Sequence, residues 1–108
     1  MKNIQISFIG GGNMATSLIG GLLADNLPAG QVTVTDPDAR CREYLADHFG
    51  VHTTDDNAAA IAQADVVVLA VKPQVLQSVA EDLATEVQAR QPLVVSVPPA
   101  IAVVSFSK

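Results

Sequence analysis

The chain has 108 residues, 49% of them apolar and only 16% charged, with a formal net charge of −5. That length makes one domain able to bury about 60–70% of the surface exposed on unfolding, and the apolar content excludes disorder. Six cations, scattered at Lys2, Arg40, Arg42, Lys72, Arg90 and Lys108, form no basic patch and exclude a nucleic-acid partner.

The single cysteine, Cys41, rules out an internal disulfide and fits a reducing compartment. With no charged leader, and no run near the ~20 apolar residues that cross a bilayer, the chain is expected to be cytoplasmic without a membrane partner. Strand and helix signals then alternate from the first residues. Ile4 to Ile9 predicts a strand, and Asn13 to Asp25 a helix with Met14, Leu18, Ile19, Leu22 and Leu23 on one face. Gly20 and Gly21 within it each cost about 1 kcal/mol relative to Ala, which close approach to a sheet would explain. Val32 to Thr35 is a β-branched strand ended by Asp36-Pro37; Cys41, Leu45 and Phe49 mark a second helix closed by Gly50.

Val51 to Thr53 reads as a short strand, and the polar turn Thr54 to Asn57 caps a helix at Ala58 to Ala62. Asp65 opens Val66 to Val71, too short for a membrane helix and valine-rich enough for a central strand, which Lys72-Pro73 ends. A helix with Val75, Leu76, Val79, Leu83 and Val87 on one face follows, then a strand from Leu93 to Val97. The repetition predicts an α/β fold: a doubly wound parallel sheet of the Rossmann type, about five strands with helices on both faces.

Ligands of such sheets bind outside the carboxyl ends of the strands, at the switch point. Gly10-Gly11-Gly12-Asn13-Met14-Ala15 lies there as G-x-G-x-x-A between strand and helix. Gly10 permits the tight turn, Gly12 lets backbone N–H groups approach phosphate oxygens, and Ala15 lets the helix pack close to the strand. The helix N-terminus adds N–H donors for a dinucleotide pyrophosphate. Asp36, about 20 residues further on, suits an adenine ribose, though followed by Pro37 it also reads as a helix N-cap. Arg40 is the nearby cation that could meet a 2′-phosphate, so NAD and NADP both stay open. Cys41 reads as a packing residue, Lys72 as a solvated strand terminus, and Asp55 and Asp56 as cap residues. His48 and His52 lack metal-ligand spacing, so no metal is expected. No residue is assigned a catalytic role.

Taken together, FIGGGNMATSLIGGL at Phe8 to Leu22, the Asn57 cap and ADVVVLAVKPQ at Ala64 to Gln74 make the chain resemble the cofactor domain of pyrroline-5-carboxylate reductases. The resemblance runs to about Val97. It implies an NAD(P)-dependent oxidoreductase of proline biosynthesis, transferring a hydride to 1-pyrroline-5-carboxylate to give L-proline. It places Ile9, Gly10, Gly11, Gly12, Asn13 and Met14 at the pyrophosphate, Asp36 at the ribose, and Asn57, Ala70, Val71, Lys72 and Pro73 toward the nicotinamide.

Residues 1–97 are thus expected to form the cofactor domain and 98–108 an atypical tail. Family members continue the fifth strand as Ser-Ile-Ala-Ala-Gly-Ile, where this chain has Ser96-Val97-Pro98-Pro99-Ala100-Ile101. The two prolines remove two backbone donors. A one-base shift of a Val-Ala-Ala-Gly coding stretch can give Val-Pro-Pro-Ala, so the reading is of a truncated or frameshifted reductase without the family's helical substrate and dimer domain. It binds dinucleotide, with negligible turnover alone and self-association into a homo-oligomer. A stand-alone dinucleotide-sensing module and the cofactor domain of a related dehydrogenase are the alternatives.

Overall fold

The computed structural model describes residues 4–71 and the two strands at 93–96 and 104–106. In chain order they form β1 (Ile6–Ile9), α1 (Asn13–Ala24), β2 (Val32–Thr35), α2 (Ala39–Phe49), β3 (His52–Thr54), α3 (Asn57–Ala62), β4 (Val66–Leu69), β5 (Leu93–Ser96) and β6 (Val104–Phe106). The sheet order is β3-β2-β1-β4-β5-β6. The first five strands pair in parallel, and β6 runs antiparallel to β5. Successive connections therefore lead away from β1 on one side and return to its other side at β4. That reversal is the switch point. Ile9 stands beside both Thr35 and Leu69, so β1, β2 and β4 end level and their loops meet on one rim.

Alternation along the strands sorts side chains onto two faces. Phe8, Val32, Val34 and Val68 pack with Ala15 and Ile19 of α1 and Leu45 of α2. Ile9 and Val67 pack on the opposite face with Ala60, Ile61 and Ala64 of α3 and its C-terminal turn. Helices thus cover both faces, as the continuous apolar strands predict. The α3 face also carries hydroxyls. Ser7 donates to the Ala60 carbonyl at 2.8 Å, Gln63 donates to Thr33 Oγ1 at 3.1 Å, and Thr35 Oγ1 donates to Asn57 Oδ1. Each buried hydroxyl is therefore satisfied, which burial in an apolar layer demands.

Element ends differ from the sequence reading in instructive ways. The N-cap of α2 is Asp38, whose carboxylate accepts from the Arg40 N–H at 2.9 Å, rather than Asp36. The N-cap of α3 is Asp56, accepting from the Ala59 N–H at 3.1 Å, so Asn57 stands at the first helical position and caps nothing. Gly50 closes α2 in the left-handed conformation at φ 74°, as expected. The run from Val66 leaves the ladder after Leu69, freeing Ala70 and Val71 for the rim. A single 3-10 turn at Ala29–Gln31 precedes β2, and β6 is a strand the sequence did not suggest. The helix expected at Val75 to Val87 and the Pro98-Pro99 pair lie outside the described residues.

Close approach to the sheet does not explain the α1 glycines. Among the described residues, a Cβ at Gly20 would make ordinary contact with the Phe49 ring at 3.7 Å, and one at Gly21 would meet nothing within 4 Å. Gly21 is exposed. Gly21→Ala is therefore expected to stabilise the domain by about 0.5–1 kcal/mol, read as a raised midpoint in urea.

Candidate functional site

The rim is knitted by backbone hydrogen bonds that continue beyond the strands. Gly10 N–H donates to the Thr35 carbonyl at 2.8 Å, Ala70 N–H to that of Ile9 at 2.9 Å, and Asp36 N–H to that of Thr54 at 3.2 Å. Together they draw the ends of β1, β2, β3 and β4 around a cleft of about 510 Å³. It is lined by Ile9, Gly10, Gly11, Gly12, Thr35, Asp36, Pro37, Asp55, Asn57, Ala70 and Val71.

The glycines serve three different ends. Gly10 has φ +105°, and a Cβ there would lie 2.5 Å from the Ala70 carbonyl oxygen, so the turn itself requires glycine. At Gly11 the obstacle is α2, since a Cβ would come within 2.8 Å of Leu45 Cδ1 and 3.0 Å of Cys41 Sγ. A Cβ at Gly12 would meet nothing within 4 Å among the described residues. It is the N-cap residue of α1 and lines the cleft, and among the described residues no side chain caps that helix start. Ala15, fully buried, seats α1 against the sheet.

Asp36 spends its carboxylate on the rim. One oxygen accepts from the Gly11 N–H and the other from the Asp38 N–H, both at 2.9 Å. This tertiary bond, absent from any local pattern, is why Asp38 rather than Asp36 caps α2. The nearby cation also differs from the expected one: Arg42 places its guanidinium on the Asp36 carbonyl at 2.7 Å, while Arg40 is exposed on the first turn of α2. Cys41 donates from Sγ to the Gly11 carbonyl at 2.9 Å. Burial pushes its thiol pKa up, and the Asp36 carboxylate beside it adds to the rise.

A thiol raised in the folded chain holds its proton more tightly there than in the unfolded chain. The stability this lends is complete below the unfolded pKa of about 8.5 and is lost as pH rises through the folded value. Cys41→Ser is expected to lack that alkaline loss, so the stability difference between the two proteins should change as pH rises past the unfolded thiol pKa in urea unfolding.

Of the residues singled out from sequence, the structure brings Ile9, Gly10, Gly11, Gly12, Asp36, Asn57, Ala70 and Val71 to the cleft. Asn13 is exposed on the first turn of α1, Met14 packs partly buried against the core, and neither lines the cleft. Lys72 and Pro73 lie outside the described residues. Thr35, Pro37 and Asp55 were missed, although strand ends at the switch point are where such residues belong. His48 stacks on Tyr44 and meets Phe49 edge-on. Among the described residues no cluster of His, Cys, Asp or Glu could hold a metal ion, and no helix is long and apolar enough to cross a membrane.

Comparison with known proteins agrees with this geometry. The family model described as NADP oxidoreductase, coenzyme F420-dependent, matches residues 5–99. The pyrroline-5-carboxylate reductase of Pseudomonas aeruginosa is 47% identical over 97 residues, covering 90% of this chain and 35% of that protein. That of Vibrio alginolyticus is 45% identical over 83 residues, covering 77% and 30%. The solved pyrroline-5-carboxylate reductase of Coxiella burnetii superposes with a TM-score of 0.86 at 38% identity, covering 90% of this chain and 36% of the other. At 22% identity, the Plasmodium falciparum pyrroline carboxylate reductase solved with NADP bound shares the fold at a TM-score of 0.76. This chain spans about a third of the length of the curated relatives it matches. It belongs to the NADP oxidoreductase, coenzyme F420-dependent, family, and the relatives it matches at 47% and 45% identity are pyrroline-5-carboxylate reductases.

Proposed function

We propose that this chain holds NAD or NADP for a pyrroline-5-carboxylate reductase, which delivers a hydride to the C=N carbon of 1-pyrroline-5-carboxylate and, with a proton on nitrogen, yields L-proline. The observation that carries the reading is the start of α1: an uncapped helix N-terminus at a glycine with open space around it, on a cleft at the switch point. Those features fit a pyrophosphate. A dinucleotide bound there supplies the hydride.

The chain's own residues bind and orient. The backbone donors at Gly12 and the first turn of α1 receive the phosphates, and neutral donors do so without the basic patch the chain lacks. Each Asp36 oxygen keeps a lone pair after its backbone bond and can accept from the adenine ribose hydroxyls. Asn57, tied to β2 through Thr35, with Ala70 and Val71 on the β4 side, forms the walls toward the nicotinamide. Lys72 and Pro73 also take part in binding the cofactor in this reading, and Asn13 and Met14 contribute through their backbone. The substrate is held against a helical domain of the kind the family resemblance implies, and the protein acts in the cytoplasm as a homo-oligomer without nucleic-acid or membrane partners.

Titration of the chain with NADH and NADPH, followed by fluorescence, tests the cofactor half. Saturable binding is expected; binding of neither overturns it, and a strong preference for NADPH removes the ribose role of Asp36. A fusion to the remainder of the Pseudomonas aeruginosa reductase tests the reaction. Oxidation of the reduced cofactor that depends on 1-pyrroline-5-carboxylate is expected from the fusion and not from the chain alone.

A further inference from the structure

Gly11 is buried, and both of its backbone polar groups are taken by side chains from the β2–α2 segment. Its N–H donates to Asp36 Oδ2, and its carbonyl accepts from Cys41 Sγ, each at 2.9 Å. Apolar side chains of α2 and β2 crowd this residue, with Leu45 Cδ1 and Val34 Cγ1 at 2.8 and 3.3 Å from where a Gly11 Cβ would stand. The Gly11 carbonyl shares one rigid peptide plane with the Gly12 N–H. In a trans peptide the two point in opposite directions, and no peptide bond here is cis. A thiol that grips the carbonyl from the α2 side therefore turns the Gly12 N–H the other way.

We propose that Cys41 is a positioning residue for cofactor binding: its thiol holds the Gly11–Gly12 peptide so that the Gly12 N–H is aimed at an anion in the cleft. The role rests on the dinucleotide reading above, and it deepens it by naming what orients the loop. Desolvation keeps the thiol protonated and hence a donor at neutral pH. Without it, the Gly11 carbonyl loses its partner and the peptide is free to rock about its flanking bonds. Asp36 alone cannot prevent this, because it holds the preceding peptide.

The test compares Cys41→Ala with Cys41→Ser in the full chain, using NADH and NADPH as ligands. Cys41→Ala is expected to weaken binding about tenfold, the worth of one hydrogen bond to a buried carbonyl. Cys41→Ser, which keeps a donor, should restore most of that affinity. In the ligand-free protein the Gly12 amide resonance should shift in the alanine variant and return toward its original position in the serine variant. Equal affinity of Cys41→Ala and wild type, or equal losses in both variants, overturns the proposal. If wild type binds neither dinucleotide, the functional reading falls, and the Gly12 amide alone decides: an unmoved resonance in Cys41→Ala overturns the positioning role.

Discussion

Gly10→Ala is expected to lower the stability of the domain by about 3–4 kcal/mol. The residue sits at φ +105°, where an L side chain is strained whatever the space. Its new Cβ would also lie 2.5 Å from the Ala70 carbonyl oxygen and 2.9 Å from Val71 Cγ1. The Val71 methyl could rotate, but the carbonyl belongs to the backbone leaving β4, pinned by the Ala70 N–H bond to Ile9 at 2.9 Å. Relief therefore requires separating the β1 and β4 ends, which are the two walls of the switch point. Urea unfolding measures the loss, and a midpoint unchanged from wild type would refute this account of the turn.

Gly12→Val should do the opposite, leaving the fold and removing the ligand. Among the described residues no atom lies within 4 Å of a Cβ at this position, and its φ of −76° and ψ of −162° are extended values open to valine. Stability should stay within about 1 kcal/mol, the range of N-cap exchanges that lack a side-chain acceptor. Binding of NADH or NADPH should fall by about a hundredfold or more, because a branched side chain would occupy the approach to the α1 N-terminus. Retained affinity in a folded Gly12→Val protein would place the phosphates elsewhere. The contrast separates two reasons for glycine within three residues of one loop.

How far such distinctions were legible in the sequence varies by element. Among the parallel strands, β4 could be read because both its faces are covered, which makes Val66 to Leu69 apolar throughout, and β2 because its Val32 to Thr35 run is β-branched. The cleft was legible for the same reason: strand ends and a glycine loop fall where parallel sheets bind ligands. What sequence could not show were contacts between distant segments. Asp36 and Asp38 flank Pro37 as equally good caps, and only the Gly11 N–H, 25 residues away, decides which one is used otherwise. Cys41 gave no signal beyond its helical phase, because its partner lies 30 residues back in the chain. Ala70 and Val71 have the same hydropathy whether they extend a strand or line a cleft, so the end of β4 was set two residues too late. Asn57 was assigned to the cap one place late because Asp56 and Asn57 are both good caps, and the hydrogen bond from Thr35 claims the second.

The sheet's two borders also bear on how copies of this chain behave in a concentrated solution. β3 and β6 are each three residues long, and they are the outermost strands. A neighbouring chain that added its own strand at either border would find a very short ladder, worth only a few backbone hydrogen bonds against the entropy of ordering its own segment. The four-residue, valine-rich β4, whose composition favours strand addition, is flanked on both sides by β1 and β5. The arrangement thus shelters β4 behind two borders whose short ladders make poor templates for an added strand.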